Sequence, residues 1–300
     1  MTGIRARHKT GLRKEQLITY LLFLTPGFLI YCVFLILPIL MGVYYSLMDW
    51  NGISRNFNFI GLNNYVKLFS DKSFKKALLF NAKYTLILVI GIVVLGVILA
   101  LLLNQEFKGR SFFRTLYFLP AVLSMITVSL VFKQIFFYVL PAVGKTLGSK
   151  TFSSNILAQK DLAMYGILFV HFWQGLALPT LLFLAGLQTI PSDLYEAAAI
   201  DGANSIQRFG YITVPYLIPT LSTVLVLLVK QGLMVFDYIK AMTDGGPGTT
   251  TQSIAILIFN NGFVRNKYSY SIAEAIATGL LIALISVVQI TLSNRKKVES

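Results

Sequence analysis

Four ionisable side chains interrupt or border stretches that are otherwise free of charge: Lys83, Lys133, Lys230 and Glu274. A charge among so many apolar residues is costly to bury, so it either lines a solute pathway or is satisfied structurally by snorkelling or pairing. Lys230 leads into Gln231-Gly232, and upstream stands His171-Phe172-Trp173-Gln174-Gly175. An indole stacks on the C–H faces of a sugar ring and side-chain amides bond its hydroxyls, so Trp173, Gln174 and Gln231 are residue types of a carbohydrate site. Each suits helix packing equally well. His171 fits an interhelical hydrogen bond, since a metal site would need companion ligands that this sequence does not offer. Gly144-Lys145-Thr146 ends like a phosphate-binding loop, but Val139 stands where the first glycine is required. The chain therefore carries no ATP-binding motif, and no covalent chemistry, cofactor or metal is expected of it.

The densest acidic cluster, Asp193, Glu196 and Asp201, falls in a polar, helix-prone island between two apolar stretches. Pro191 suits a first helical turn, and carboxylates there complement the positive end of the helix dipole. Ala197, Ala198 and Ala199 favour helix and leave little bulk, so another protein's surface can approach closely. Gly202 then breaks the helix, and residues 203–211 form a second short one. Such an island is a handle for something outside the membrane to grip.

The elements that must position these groups follow from charge and hydropathy. The chain is 56% hydrophobic and 13% charged, whereas a soluble chain has roughly a quarter charged residues. Residues 16–48, 84–105, 115–132, 162–192, 209–229 and 275–294 contain no Asp, Glu, Lys or Arg. Each approaches or exceeds the roughly 18–20 residues of a spanning helix, and no period-2 alternation suggests a barrel. The fold class is all-α, a polytopic membrane protein with six transmembrane helices near 17–47, 80–103, 112–133, 163–188, 211–236 and 270–292. The first run is too long for a signal-peptide core and lacks a small-residue cleavage site, so it is expected to remain as a span. Cys32 is the only cysteine, which excludes a disulfide within the chain. The net charge of +14 is scattered over the loops; it suits anionic lipid headgroups and not nucleic acid. Arg5, Arg7, Lys9, Arg13 and Lys14 precede the first span, which argues for a cytoplasmic N-terminus and, with six spans, a cytoplasmic C-terminus. Lys230 and Glu274 each fall about six residues, roughly 9 Å, below the outer ends of their spans. With no other charge along either span, the two are expected to approach each other in some state.

The run Glu196-Ala197-Ala198, then Asp201-Gly202-Ala203, then Ile212 with Pro215, resembles the cytoplasmic loop signature of permease subunits of binding-protein-dependent ABC importers. The family pattern usually ends Leu-Pro, and here it is Val214-Pro215. Ser46-Leu-Met-Asp-Trp50, then Phe59-Ile-Gly-Leu-Asn-Asn-Tyr65, and later Thr243-Asp-Gly-Gly-Pro247, resemble the carbohydrate, maltose-type, branch. Gly-Gly-Pro forces a turn, after which Thr249–Thr251 are expected to cap a short interfacial helix over 254–259.

The resemblance implies a type I ABC importer permease fold in the cytoplasmic membrane of a prokaryote. It implies a basic cytoplasmic N-terminus at 1–15, a first helix and outer segment at 16–76, and the shared five-helix domain at 77–290. Within that domain 189–210 is the coupling loop, and 291–300 is a cytoplasmic tail. It further implies a second homologous permease, a cytoplasmic ATPase dimer that binds ATP and magnesium, and an extracytoplasmic solute-binding protein. Glu196, Ala197, Ala198, Asp201, Gly202 and Ala203 would meet the ATPase. Trp173, Gly175, Leu178, Leu228, Gln231, Gly232 and Val235 would fall on the sugar-contacting face, with Gln174, Lys230 and Glu274 along the pathway. Import of a sugar or oligosaccharide by alternating access is the function implied. Another solute (a polyol, a phosphorylated polyol or an anionic sugar) is the alternative, ahead of an ion-coupled secondary transporter.

Overall fold

The computed structural model describes residues 3–298 apart from Asn56 and Phe107, with side chains over 16–291. The basic flank at 1–15 and most of the tail at 291–300 thus lie outside the described side chains. Helix α1 (Gly3–Tyr31) continues through a π-helical turn, Cys32–Ile36, into α2 (Leu37–Ser46). Two-residue strands β1 (Met48–Asp49) and β2 (Asn58–Phe59) precede α3 (Asn63–Ser70) and the long α4 (Lys72–Asn104). Next come α5 (Arg110–Val122), α6 (Met125–Gln134) and α7 (Leu140–Thr146), then α8 (Ala163–Gly175) and α9 (Ala177–Gln188). The remaining helices are α10 (Ser192–Ile200), α11 (Ser205–Arg208), α12 (Val214–Leu233), α13 (Asp237–Met242), α14 (Ile254–Phe259) and α15 (Tyr268–Val298).

Five helical stretches are long and apolar enough to cross a membrane: Gln16–Ser46, Lys72–Asn104, Met125–Thr146, Ser205–Met242 and Tyr268–Thr291. The pair α8 and α9, bent by 45° beside Gly175, supplies a sixth. Span three departs from the expected 112–133. Leu123 and Ser124 are extended and separate α5 from α6, and the crossing stretch extends to Thr146. The break is held by a side chain from elsewhere: Gln174 Nε2 donates to the Leu123 carbonyl at 2.7 Å.

Proline accounts for three of the four π-helical turns among the described residues, Asn260–Val264 being the exception. The π turns Cys32–Ile36, Ile135–Val139 and Phe209–Thr213 each end two residues before a proline, Pro38, Pro141 and Pro215. A proline ring clashes with the carbonyl four residues back and offers no N–H, and a wider turn absorbs both defects without ending the helix.

The chain divides into two compact units: one takes in the chain to Lys67 with Asn261–Ile276, the other Leu68–Asn260 with the chain from Ala277 onward. In the larger unit α4 packs against α8, α9, α12 and α14. Its buried positions Ala77, Asn81, Tyr84, Thr85, Leu88, Ile92, Gly96, Ala100 and Leu103 recur every three or four residues. Small residues on that stripe let backbones close in: a Cβ on Gly232 of α12 would lie 2.5 Å from Thr85 Oγ1 and 2.9 Å from Thr85 Cα. Buried Asn81 ties three elements together. Its Nδ2 donates to the Gly232 and Leu233 carbonyls at 3.1 and 2.8 Å, and its Oδ1 accepts from Ile254 N at 2.8 Å. Helix α14 is capped by Ser253, not by Thr249–Thr251, and Ser253 Oγ also donates to the Val235 carbonyl. With Ile254, Ile256 and Leu257 buried, this short helix belongs to the core and not to an interfacial surface.

In the smaller unit β1 pairs antiparallel with β2, Met48 opposite Phe59. Asn64 Nδ2 donates to the carbonyls of Ser46 and Met48, and Trp50 stacks on Tyr45 at 4.8 Å between ring centres. Fully buried Glu274 receives both Nδ2 hydrogen bonds of Asn261 at 2.9 Å, and Arg265 Nη1 donates to Asn261 Oδ1.

Candidate functional site

The last turn of α12 and the start of α13 meet α6 and α8 around a cavity of about 340 Å³. Lys230, Gln231 and Asp237 supply its charged and amide groups, and Met125, Leu227, Met234, Val235 and Phe236 its apolar wall. Lys230 sits in the final turn of α12, where a cation suits the negative end of the dipole. Its side chain is exposed, three residues before the helix ends at Leu233.

His171 and Tyr238 also line the cavity and belong to a buried polar string. Tyr84 Oη and His171 Nδ1 lie 2.9 Å apart, so His171 makes an interhelical bond. Its ring stacks on Tyr238 at 4.4 Å, and Tyr238 Oη donates to Gln174 Oε1 at 3.0 Å. Gln174 therefore has both ends of its amide committed within the protein, to Tyr238 and to Leu123. An ammonium, an amide and a carboxylate around apolar and aromatic surface can bind a hydroxylated solute by donors and acceptors at once.

Of the expected pathway residues, Lys230, Gln231 and Val235 come together here. Gln174, Gly175, Leu228 and Gly232 go instead to helix packing: Leu228 is fully buried, and a Cβ on Gly175 would lie 3.2 Å from His171. Trp173 and Leu178 are exposed, the indole 5.3 Å from the Phe132 ring. Glu274 belongs to the other unit, where both of its carboxylate oxygens accept from Asn261 Nδ2. Asp237, Tyr238 and Met125 were not anticipated. The sequence signal for Asp237 was a carboxylate just past the last turn of a spanning helix.

The second region is the island at 190–210. Helix α10 begins after Pro191, which is its cap and not its first turn, and ends at Ile200 with Asp201 as its C-cap. Gly202 has φ +78, a left-handed conformation that glycine adopts without strain. Asn204 and Gln207 then form a reciprocal capping box that starts α11. From Ser205 the helical run continues through a π turn to Leu233, breaks over 234–236 and resumes as α13, and Ser205–Met242 together counts as one crossing stretch. Glu196, Ala197, Asp201 and Gly202 are exposed, Ala198 and Ala203 half-buried, and Ile200, Ile206 and Tyr211 stand more than 80% exposed at 87%, 82% and 82%. Gly144-Lys145-Thr146 ends α7, with Gly144 packed against the Phe152 backbone, so it is helix and not a phosphate loop.

Residues 92–298 match the family described as binding-protein-dependent transport system inner membrane component. The chain belongs to this family. It is a permease of the binding-protein-dependent ABC importers, a multi-pass membrane subunit. The permease is 46% identical to the multiple sugar-binding transport system permease protein MsmF of Streptococcus mutans, over 92% of this chain and 95% of that one. It is 32% identical to the probable starch degradation products transport system permease protein AmyD of Thermoanaerobacterium thermosulfurigenes, over 94% and 96%. A solved bacterial ABC transporter involved in import of the acidic polysaccharide alginate shares the fold, with TM-score 0.79 at 23% identity over 96% of this chain and 99% of that one. The type I importer permease fold is therefore that of this chain.

Proposed function

We propose that the permease moves a sugar or oligosaccharide across the cytoplasmic membrane by alternating access, driven by ATP hydrolysis on a separate subunit. The identity of 46% to a sugar permease along nearly the whole chain carries this reading. The cavity at Lys230, Gln231 and Asp237 is the solute site on this subunit, and a second, homologous permease completes the pathway. The loop 190–210 faces the cytoplasm, where Glu196, Ala197, Ala198, Asp201, Gly202 and Ala203, with exposed Ile200 and Ile206, dock on an ATPase dimer. Both termini lie on that side, and 77–290 is the shared transport domain. A solute-binding protein delivers substrate from outside. The run from Ser205 to Leu233 links the two sites mechanically, since it begins at the loop and its last turn lines the cavity.

The test is uptake of radiolabelled oligosaccharides by cells carrying the complete importer. Uptake should require the ATPase and binding-protein genes and persist when ion gradients are collapsed. Loss of uptake with the gradients would turn the assignment to a secondary transporter. Lys230 at the cavity favours a second reading, a phosphorylated polyol or an anionic sugar; competition of uptake by neutral against anionic solutes separates the two.

A further inference from the structure

A second cavity, about 430 Å³, opens between α5 and α9 at the end of α4, and it differs in chemistry from the solute site. Its walls are Phe118, Leu119, Val122, Leu181 and Leu184, and one end is closed by Arg114. Phe118, Leu119, Val122 and Leu181 are 39%, 55%, 76% and 48% exposed, so the groove is open along its length. Arg110 stands one turn before Arg114, and both reach the same acceptor: Arg110 Nε donates to the Leu103 carbonyl at 2.7 Å and Arg114 Nη2 at 3.4 Å. Arg114 Nε is buried without a hydrogen-bond partner. Two guanidinium groups four residues apart on one helix repel each other and leave most of their donors unused. Glu106, the only acidic residue from 104 to 114, pairs with neither; among the described residues the one salt bridge is Lys240–Asp244. Lys108 adds a third positive charge on the same loop.

Depth fits the chemistry. The uncharged run of α4 ends at Gln105, which puts the Leu103 carbonyl at the boundary between hydrocarbon and headgroups. Arg114 lies about 6 Å further along α5 than Arg110, at the junction of the basic end and the apolar groove. An anion that also carries a long apolar chain satisfies both parts at once. A peptide partner would need a carboxylate and an apolar segment at the same spacing and at the membrane boundary.

We propose that this groove binds one anionic glycerophospholipid of the surrounding bilayer. Arg110 and Arg114 hold its phosphate, and an acyl chain lies along Phe118, Leu119, Val122 and Leu181. Basic pockets between spanning helices on the cytoplasmic face are a recurring form of headgroup recognition. The site is independent of which solute is carried.

Native mass spectrometry of the full-length permease, purified in mild detergent and offered equal phosphatidylglycerol and phosphatidylcholine of one acyl composition, tests it. Phosphatidylglycerol should remain bound in preference. The Arg110→Gln/Arg114→Gln double variant removes charge-assisted hydrogen bonds and should lower its retention about tenfold. Leu181→Trp should displace both lipids by filling the groove, and it decides alone if the double variant does not fold. Inorganic phosphate, lacking a chain, should not compete. Equal retention of the two lipids, retention unchanged in the variants, or displacement by phosphate overturns the proposal. So does a disulfide from Val122→Cys to a neighbouring polypeptide formed in native membranes in place of lipid.

Discussion

At Asn81 a single amide answers three backbone groups from two other elements, the carbonyls of Gly232 and Leu233 and the N–H of Ile254. No other side chain of that size offers two donors and an acceptor together, and the site is fully buried. Asn81→Leu keeps the branched shape and strands all three groups, each at about 1–3 kcal/mol. The expected outcome is a lower melting temperature of the purified permease and weaker membrane accumulation; a variant as stable as the parent would show that these bonds contribute nothing net. Asn81 was not legible as special in the sequence, because an asparagine in an apolar run announces a partner without naming it. Gln174 teaches the converse. Its chemistry suits a sugar ligand, and the structure gives that chemistry to the Leu123 carbonyl and Tyr238.

Among the elements, the loop from α10 to α11 was the most legible, since capping and turn residues act locally. The boundaries expected from Pro191 and Gly202 fall within a residue or two of those observed. Gly202 is open on the side where a Cβ would stand, so a bulky residue there meets no intramolecular clash. The strain of a non-glycine residue at φ +78 is about 1 kcal/mol. Gly202→Trp should therefore leave insertion and protein level near normal and abolish uptake by blocking the docking face. Immunoblots of membranes beside uptake rates check it; normal uptake would remove the docking role from this turn. Span three was less legible. The extended pair Leu123-Ser124 carries no breaker of its own apart from Pro120 in the preceding turn, and the break depends on a bond from α8.

For the molecule as a transporter, the proposed solute cavity and the loop must communicate, and the cavity side is tested by Gln231→Ala and Trp173→Ala. Gln231 lines the cavity, whereas Trp173 stands half-exposed against Phe132. Gln231→Ala should lower uptake severalfold at limiting solute, by about the loss of one or two hydrogen bonds, with assembly intact. Trp173→Ala should lower it only if a neighbouring subunit brings the indole into the pathway. Uptake unchanged in Gln231→Ala across solute concentrations would move the site off this cavity. By itself the sequence determined the class of the protein, its six crossings and its exposed acidic island, because length, absence of charge and capping chemistry are local properties that a bilayer enforces directly. It could not determine which face of each crossing is packed. On α4 the buried face carries Tyr84, Leu88 and Ile92, and the open face carries Leu86, Ile90 and Val94. Lipid is as apolar as a protein core, so hydropathy does not distinguish the two faces. That choice, and with it the separation of cavity residues Lys230 and Gln231 from packing residues Leu228 and Gly232, rests on steric fit between helices far apart in sequence, which only the tertiary structure decides.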